Sequence, residues 1–475
     1  MPLTGLDIFK LLPKTNCGQC KRATCLAFAV QLAAKKASLE ECPHASDEAK
    51  AAIGNASAPP MRTITIGSGD FCRTVGGETV MFRHEEKFHN APVVAIRISD
   101  ELPAAALASR LDAIVSLQAE RVGQRLTVDA VAIENASRSA EAVARTTRAV
   151  AQCVPHAIII VSDLPEALQA AAAASAAATP VASRKPLLHA ARPDTWEAVA
   201  RVAKPLGCPV VAAADDLDSL AELTVNLTKA GVQQIVIDAT RRNAKAPSAA
   251  ETPGTDHRAT LHALTQIRRA AVRKSFRAFG HPTLAFASGT GPVDTVVQAS
   301  TFIAKYASIV VLDAWEPWQV LPLLTERQNI YADPQKPMQV EQKLYAVGAP
   351  DEQSPLLITT NFSLTFFTVQ GDVESSRVDA WILPVDTEGT SVLTAFAGDK
   401  LNERTIAAAI EKSGAANRLQ HRTMIIPGYV ASLSGKVEEQ TGWQVTVGPR
   451  ESAHLPRFLQ ASRRKTASAV VSEAR

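Results

Sequence analysis

Four of the chain's seven cysteines fall in its first 42 residues, as Cys17-x2-Cys20-x4-Cys25-x16-Cys42. Thiolates gathered by short spacings are soft ligands, suited to zinc, copper(I) or an iron–sulfur centre rather than to hard cations. Structural zinc sites usually pair two Cys-x2-Cys halves across a spacer. Here three cysteines lie within nine residues and a distant fourth follows a helical stretch, a layout commoner for a cubane [4Fe–4S] cluster. Zinc and free thiols remain as alternatives. Thr24 is placed to cap a helix carrying Cys25, Phe28 and Leu32, and Gly18 lets the backbone approach inorganic sulfide closely. With no further cysteine nearby, the pattern reads as one site moving one electron.

The elements that must position such a site follow from length and pattern. A chain of 475 residues exceeds one ordinary core. Lys+Arg 50 against Asp+Glu 47 offers no excess charge to attract nucleic acid or a membrane surface. The first residues lack the apolar run and small-residue cleavage site of a secretory signal. The alanine-rich stretch 164–182 is broken by Glu166, Pro165 and Pro180, so no membrane span is expected there. Cys72, Cys153 and Cys208 are scattered, as reduced thiols of a cytoplasmic protein would be.

Residues 1–57 form the cysteine segment, closed by the linker-like Asn55-Ala56-Ser57-Ala58-Pro59-Pro60. Residues 58–92 read as a linker and β-rich connector, with strands at 63–67 and 78–83 turning at Gly76-Gly77. Over 93–327, apolar β-type runs recur at 93–98, 128–133, 157–161, 187–190, 210–213, 235–238, 284–287 and 309–312. Amphipathic helical stretches intervene, among them 103–122, 140–153, 195–206 and 219–230. Short strands apolar on both faces and alternating with helices are parallel and buried. Eight such units match a TIM (β/α)8 barrel, with a doubly wound open sheet as the alternative. Residues 239–258 read as an enlarged loop. Residues 328–461 form a further α/β block, with β runs at 364–369, 380–385, 424–426 and 445–447 and a helix at 403–412. Residues 462–475 read as a tail.

Two sets of motifs then resemble one family at both ends of the chain. At the N-terminus these are Leu12-Pro13-Lys14-Thr15-Asn16-Cys17-Gly18-Gln19-Cys20, Thr24-Cys25-Leu26-Ala27-Phe28-Ala29 and Cys42-Pro43. At the C-terminus they are Thr359-Thr360-Asn361-Phe362-Ser363-Leu364-Thr365, Gly371-Asp372-Val373-Glu374-Ser375, Val385-Asp386-Thr387-Glu388-Gly389, Ile425-Ile426-Pro427-Gly428-Tyr429 and Val447-Gly448-Pro449-Arg450-Glu451. The chain resembles the corrinoid iron–sulfur protein large subunit, the gamma subunit of acetyl-CoA decarbonylase/synthase. The resemblance spans nearly the whole chain and is weakest over 164–258.

It implies an α/β multidomain protein with a small N-terminal [4Fe–4S] domain, a central TIM barrel and a C-terminal Rossmann-like corrinoid-binding domain. The implied activity is of methyltransferase type: Co(I) accepts a methyl group from a methyl-tetrahydropterin through a separate methyltransferase and delivers it to acetyl-CoA synthase. The cluster, held by Cys17, Cys20, Cys25 and Cys42, returns Co(II) to Co(I). A small (delta) subunit completes a heterodimer.

Corrinoid contacts are expected on loops at the strand ends, where open α/β sheets present ligands. The candidates are Asn361, Thr365 and Thr368, the run Gly389, Thr390, Ser391, Val392, Leu393 and Thr394, then Pro427, Gly428, Gly448 and Pro449, with Thr394 placed beneath the cobalt. Read without the resemblance, these are ordinary loop residues. The chain lacks the Asp-x-His-x-x-Gly motif that supplies an axial histidine, and His421 and His454 lack that context. A base-off corrinoid follows. In the barrel, Asn135, Asp238 and Asp313 end their strands where barrel enzymes place catalytic groups, although helix capping is the favoured reading. His84 and His89 read as surface residues. Lys21 and Arg22 beside the cysteines would tend to raise the potential of a cluster. Rival readings are a homologous scaffold or carrier in another methyl-transfer system, possibly without corrinoid, and a zinc-stabilised barrel enzyme.

Overall fold

The computed structural model describes residues 5–20, 22–33, 37, 39–46, 59–178, 184–242, 254–333 and 337–463. It comprises two compact units, Met1–Ala119 with Thr127–Tyr331, and Glu120–Leu126 with Ala332–Arg475. No described helix is long and apolar enough to cross a membrane. Most of the expected tail, from 464 on, lies outside the described residues.

The first unit begins with two short helices, α1 (Gly5–Leu11) and α2 (Cys25–Ala33). Strands β1 (Thr63–Ile66) and β2 (Arg73–Gly76) then pair antiparallel, from Thr63↔Gly76 to Ile66↔Arg73. The second strand therefore ends on the first glycine of the pair instead of following it at 78–83. Gly76 and Gly77 adopt φ of +87° and +86°, and a Cβ on Gly76 would lie 2.1 Å from the Arg62 carbonyl oxygen. That left-handed step ends the strand rather than reversing it. Beyond it, the Glu85 carboxylate accepts the Met81 and Phe82 N–H groups at 3.1 and 3.3 Å, which makes a turn of the residues expected to be extended.

The hairpin plugs a barrel. Strand β3 (Val93–Ser99) is followed by helix α3 (Ala104–Ser116), then by a small hairpin of β4 (Gln118–Arg121) and β5 (Gln124–Thr127). The expected helix over 103–122 thus stops at Ser116. Val122 and Gly123, at φ +54° and +67°, form the two-residue turn that a right-twisted hairpin favours. The remaining seven strands are β6 (Ala130–Glu134), β7 (Ala157–Val161), β8 (Leu187–Ala191), β9 (Val210–Ala212), β10 (Ile235–Asp238), β11 (Thr283–Ala287) and β12 (Ile309–Leu312). With β3 they close in sequence order into an eight-stranded parallel barrel. The helices that follow are α4 (Ala140–Cys153), α5 (Pro165–Ala177), α6 (Trp196–Leu206), α7 (Leu217–Lys229), α8 (His257–Lys274), α9 (Pro292–Ala304) and α10 (Pro317–Tyr331). The last helix runs past residue 327, the expected barrel boundary.

Inward residues such as Ala95, Ala132, Ile159, Val211, Val236, Phe286 and Val311 share one core with Ile64, Ile66 and Val75 of the hairpin. The hairpin bonds to residues that precede strands: Gly67 N–H to the Lys185 carbonyl and Arg62 N–H to that of Gly280, both at 2.9 Å. It therefore covers the amino end of the barrel and leaves the carboxyl end, where barrel chemistry occurs, uncovered by it. Asp129 fastens the amino end, accepting the Val94 N–H at 3.0 Å and pairing with Arg73 and Arg327.

Two buried histidines near that end make the barrel acid-sensitive. Burial first, and the Arg73 charge second, lower the pKa of His156 from 6.5 to about 4. Burial, with Arg62, lowers that of His281 to about 3. Below pH 6.5 the unfolded chain takes up protons that the folded one refuses, so stability is full above that pH and falls as pH drops toward 4. His156 alone should account for a loss of about 3 kcal/mol by the end of that range. Urea unfolding between pH 7 and 4.5 should show the decline, and His156→Gln should roughly halve it, His281 supplying the rest.

In the second unit, strands β13 (Tyr345–Val347), β14 (Leu356–Thr360), β15 (Ala380–Val385), β16 (Thr423–Ile426) and β17 (Gln444–Val447) lie in the order β13-β15-β14-β16-β17. Only β13 runs antiparallel to its neighbour. Alternate residues feed two cores: Leu356, Ile358 and Leu383 pack with Ile406, Ile410 and Val437 on one face, while Leu357 and Ile382 pack with Phe366, Val373 and Leu459 on the other. Helices α11 (Ser363–Ser376), α12 (Val392–Ala397), α13 (Glu403–Ser413), α14 (Ala415–Arg418) and α15 (Ser434–Thr441) connect the strands. The expected strand at 364–369 is thus part of α11. Its aromatic and β-branched residues suit either state. Burial at Phe366, Val373 and Ser376, with Leu364 and Phe367 exposed, follows the helical period and decides the matter.

Candidate functional site

Cys25 opens α2, Cys17 and Cys20 lie in the loop between α1 and α2, and Cys42 follows a single 3-10 turn at Leu39–Glu41. Cys20, Cys25 and Cys42 are buried in one small apolar cluster with Ile8, Leu12, Phe28 and Ala29, whereas Cys17 is exposed. Asn16, at φ +47°, ties the loop to the start of α2. Its side-chain oxygen accepts the Cys25 N–H at 2.8 Å, and its own N–H points at Cys25 Sγ at 3.4 Å. Thr24 Oγ1 accepts the Ala27 N–H at 3.1 Å, the expected cap. Hydrogen bonds from the Gln19 backbone first, and from Thr15, lower the pKa of the Cys17 thiol and favour its thiolate. Among the described residues no three His, Cys, Asp or Glu side chains converge on one point as a single tetrahedral ion requires. Three buried thiols on one apolar cluster, with the exposed Cys17 beside them on the chain, make a soft-ligand set.

A second site forms where the C-terminal sheet changes direction. From β14 the chain crosses to β15 on one side and then returns to β16 on the other, opening a crevice at the strands' carboxyl ends. A cavity of 310 Å³ lies there. Thr359 from β14, Leu364, Thr365 and Thr368 from α11, Ser391, Val392 and Leu393 at the start of α12, Pro427 and Tyr429 after β16, and Gly448 to Ser452 after β17 all line it. The Thr359 hydroxyl is buried without a hydrogen-bond partner, so a polar group of a ligand has an unused donor to meet. The Tyr429 hydroxyl donates to the Glu451 carboxylate, which raises the phenol's pKa. No histidine lines the cavity. His421 is held elsewhere, Nε2 donating to the Ser354 carbonyl at 2.9 Å.

Five residues expected at this site lie outside the cavity wall and shape it. Asn361 is 3% exposed, and its side-chain oxygen accepts the N–H groups of Thr387 and Gly389, each at 3.0 Å. Gly389, at φ +73°, packs against Gln339. Thr390 donates its hydroxyl to the Thr387 carbonyl at 2.7 Å. Thr394 is exposed, with its hydroxyl 3.1 Å from that of Ser391. Gly428 donates to the Pro449 carbonyl at 3.0 Å, and a Cβ there would come within 2.6 Å of the Gly448 oxygen; it holds the loops after β16 and β17 together.

In the barrel, none of the strand-end residues caps a helix. Asp238 pairs with buried His189 at 2.9 Å, Asp313 with Arg97 at 2.8 Å, and Asn135 Nδ2 donates to Ser162 at 2.9 Å. His84 and His89 are exposed.

A family model for the CO dehydrogenase/acetyl-CoA synthase delta subunit matches residues 63–459, and one for an Fe-S cluster segment matches residues 12–44. The chain is 42% identical to the corrinoid/iron-sulfur protein large subunit of Moorella thermoacetica, covering 97% of this chain and 99% of that one. The chain belongs to the corrinoid/iron–sulfur protein large-subunit family. Acetyl-CoA decarbonylase/synthase complex subunits gamma of Methanothermobacter thermautotrophicus and Methanopyrus kandleri are each 36% identical, over 97% and 96% of this chain and 99% and 97% of theirs. Dihydropteroate synthase of Xanthomonas albilineans covers 51% of the chain and 94% of its own, at 15% identity and a TM-score of 0.35, too distant to bear on function.

For a large subunit of this family, the cavity wall includes residues that were not candidates from sequence: Thr359, Leu364, Tyr429, Arg450, Glu451 and Ser452. A signal existed, because all but Ser452 fall within the motifs that carry the resemblance. What was missing was the strand at 356–360, without which Thr359 has no place at a strand end.

Proposed function

We propose that this chain is a methyl carrier, with a corrinoid seated across the carboxyl ends of β14, β16 and β17 and a [4Fe–4S] cluster on Cys17, Cys20, Cys25 and Cys42. The observation that carries the reading is the switch-point cavity, which gathers Thr365, Thr368, Ser391, Val392, Leu393, Pro427, Gly448 and Pro449 from four separate segments. The names of the relatives support it. A bound corrinoid supplies a low-potential cobalt that takes and gives up a methyl group, and a cluster supplies the single electron that restores it when oxidised.

The chain's residues do the rest. The 310 Å³ cavity has room for the side arms of a corrinoid, and the residues that line it would hold them. The Thr359 hydroxyl and the glycine-bearing backbone at 448–449 would hold amide arms, and Leu364, Val369, Ile425 and Leu455 would keep water from the inner wall. The absence of a lining histidine favours the base-off form. Asn16 aims its N–H at a cysteine sulfur, a contact that tunes cluster potential.

In this reading residues 1–57 are the cluster domain, 58–92 a connector, 93–327 the barrel and 328–461 a Rossmann-like corrinoid domain. A methyl-tetrahydropterin methyltransferase and acetyl-CoA synthase are the donor and acceptor partners, a small (delta) subunit completes a heterodimer, and the setting is cytoplasmic. Anaerobic purification with corrinoid supplementation, followed by metal analysis and a visible spectrum, tests it. Cobalt and iron together, with corrinoid bands over broad cluster absorption, are expected. Iron without cobalt overturns the carrier, and zinc in place of iron overturns the cluster.

A further inference from the structure

The carboxyl end of the barrel holds a cavity that the methyl-carrier reading does not use. It measures 250 Å³ and is formed at the ends of β6, β7 and β8. His189 on its wall is 3% exposed, with Nε2 2.9 Å from Asp238 Oδ2. Phe286 sets the ring from the side, edge-on at 5.0 Å between centroids. Burial would raise the pKa of Asp238, but the hydrogen bonds and charge of His189, with those of Thr240, overcome it and hold the carboxylate ionised. An ionised Asp238 keeps the proton on Nε2, which leaves Nδ1 as the remaining hydrogen-bonding atom of an imidazole that borders the cavity.

The charges around it are unevenly matched. Glu134 is engaged by Arg97 at 3.4 Å, and Asp163 by Arg192 at 3.1 Å. Arg138 and Arg242 also line the cavity and have no carboxylate partner among the described residues. Arg138, and Arg242 with its guanidinium 5.7 Å from the Phe286 ring centroid, thus stand on one cavity wall with a carboxylate-backed imidazole and the Asn135–Ser162 pair, a donor set suited to a planar or tetrahedral oxyanion.

We infer that the barrel mouth is a binding site for a small organic oxyanion, a carboxylate or phosphate, gripped by Arg138 and Arg242 and hydrogen-bonded by His189. Its size admits a small metabolite and not a cofactor as large as a corrinoid. The site has no part in the corrinoid reading and stands or falls apart from it.

Thermal unfolding of the full chain, titrated separately with inorganic phosphate and with malonate at constant ionic strength, tests the inference, alongside spectra of protein labelled with nitrogen-15 in its histidines. A saturable rise in melting temperature with a shift of the His189 resonances is expected. The stronger of the two probes identifies the oxyanion. Arg138→Gln with Arg242→Gln should weaken binding by about 100-fold, roughly tenfold for each charge-assisted contact. Lysine at both positions should recover part of it. No saturable response to either anion, or an unchanged response in the double glutamine variant, overturns the inference. Should that variant fail to fold, the wild-type titration still decides.

Discussion

Cys25→Ala is expected to leave the protein short of iron and to slow reductive recovery of oxidised protein by more than about 100-fold, since even outer-shell partners of a metal site are worth 10–100-fold. Methyl transfer from protein reduced beforehand should be spared, because the proposed corrinoid site belongs to the other compact unit. Cys25 is the telling position. It is buried, it opens α2, and it exchanges two contacts with Asn16. The N-terminal apolar cluster is small, so metal binding contributes much of its folding energy. The variant should also be cut faster by protease at the N-terminus than the parent. Iron per chain, recovery rate and cleavage rate are the measurements. A variant that keeps its iron and recovers at the parental rate would remove Cys25 from the ligand set.

Asn361→Ala should destabilise the C-terminal unit by about 3–5 kcal/mol and release corrinoid as a consequence. Its oxygen accepts from the Thr387 and Gly389 N–H groups and the Thr387 hydroxyl, at 3.0, 3.0 and 3.2 Å. Its nitrogen donates to Asp386 and Gln339 at 2.9 and 3.2 Å. Each bond contributes about 1 kcal/mol, and each buried N–H left unpaired costs about 1–3 kcal/mol. Asn361→Asp keeps the acceptor but sets a second carboxylate against Asp386, so it should be almost as harmful. Thr365→Ala, on the cavity wall, should instead lower corrinoid occupancy with little change in stability. Urea unfolding followed by tryptophan fluorescence, with cobalt content measured in parallel, separates the two effects. Corrinoid loss from Asn361→Ala at parental stability would make Asn361 a direct contact and not the staple of its loop.

The barrel was legible because its strands are short and apolar on both faces and most are followed by an amphipathic helix, a pattern set by burial alone. Misreadings arose where local preference is ambivalent. Residues 364–369 are aromatic and β-branched yet helical, since the core they reach demands burial at Phe366 and Val373. Gly76-Gly77 reads as a hairpin turn but ends a strand, because left-handed φ and a close carbonyl bend the chain away.

The sequence by itself determined the kind of chemistry. Four thiols at fixed short spacings specify soft-metal ligation, and hydrophobic periodicity specifies a parallel barrel followed by a second α/β sheet. These are short-range properties, governed by residue type and by which side of an element meets water. Which remote residues meet was decided only by the tertiary structure. The pairing of His189 with Asp238 depends on both lying at the carboxyl ends of barrel strands, and the cavity that joins Thr359 to Ser452 depends on the strand order around β14 and β16. Strand order and register are set by packing across the whole unit, so spacing along the chain does not encode them locally.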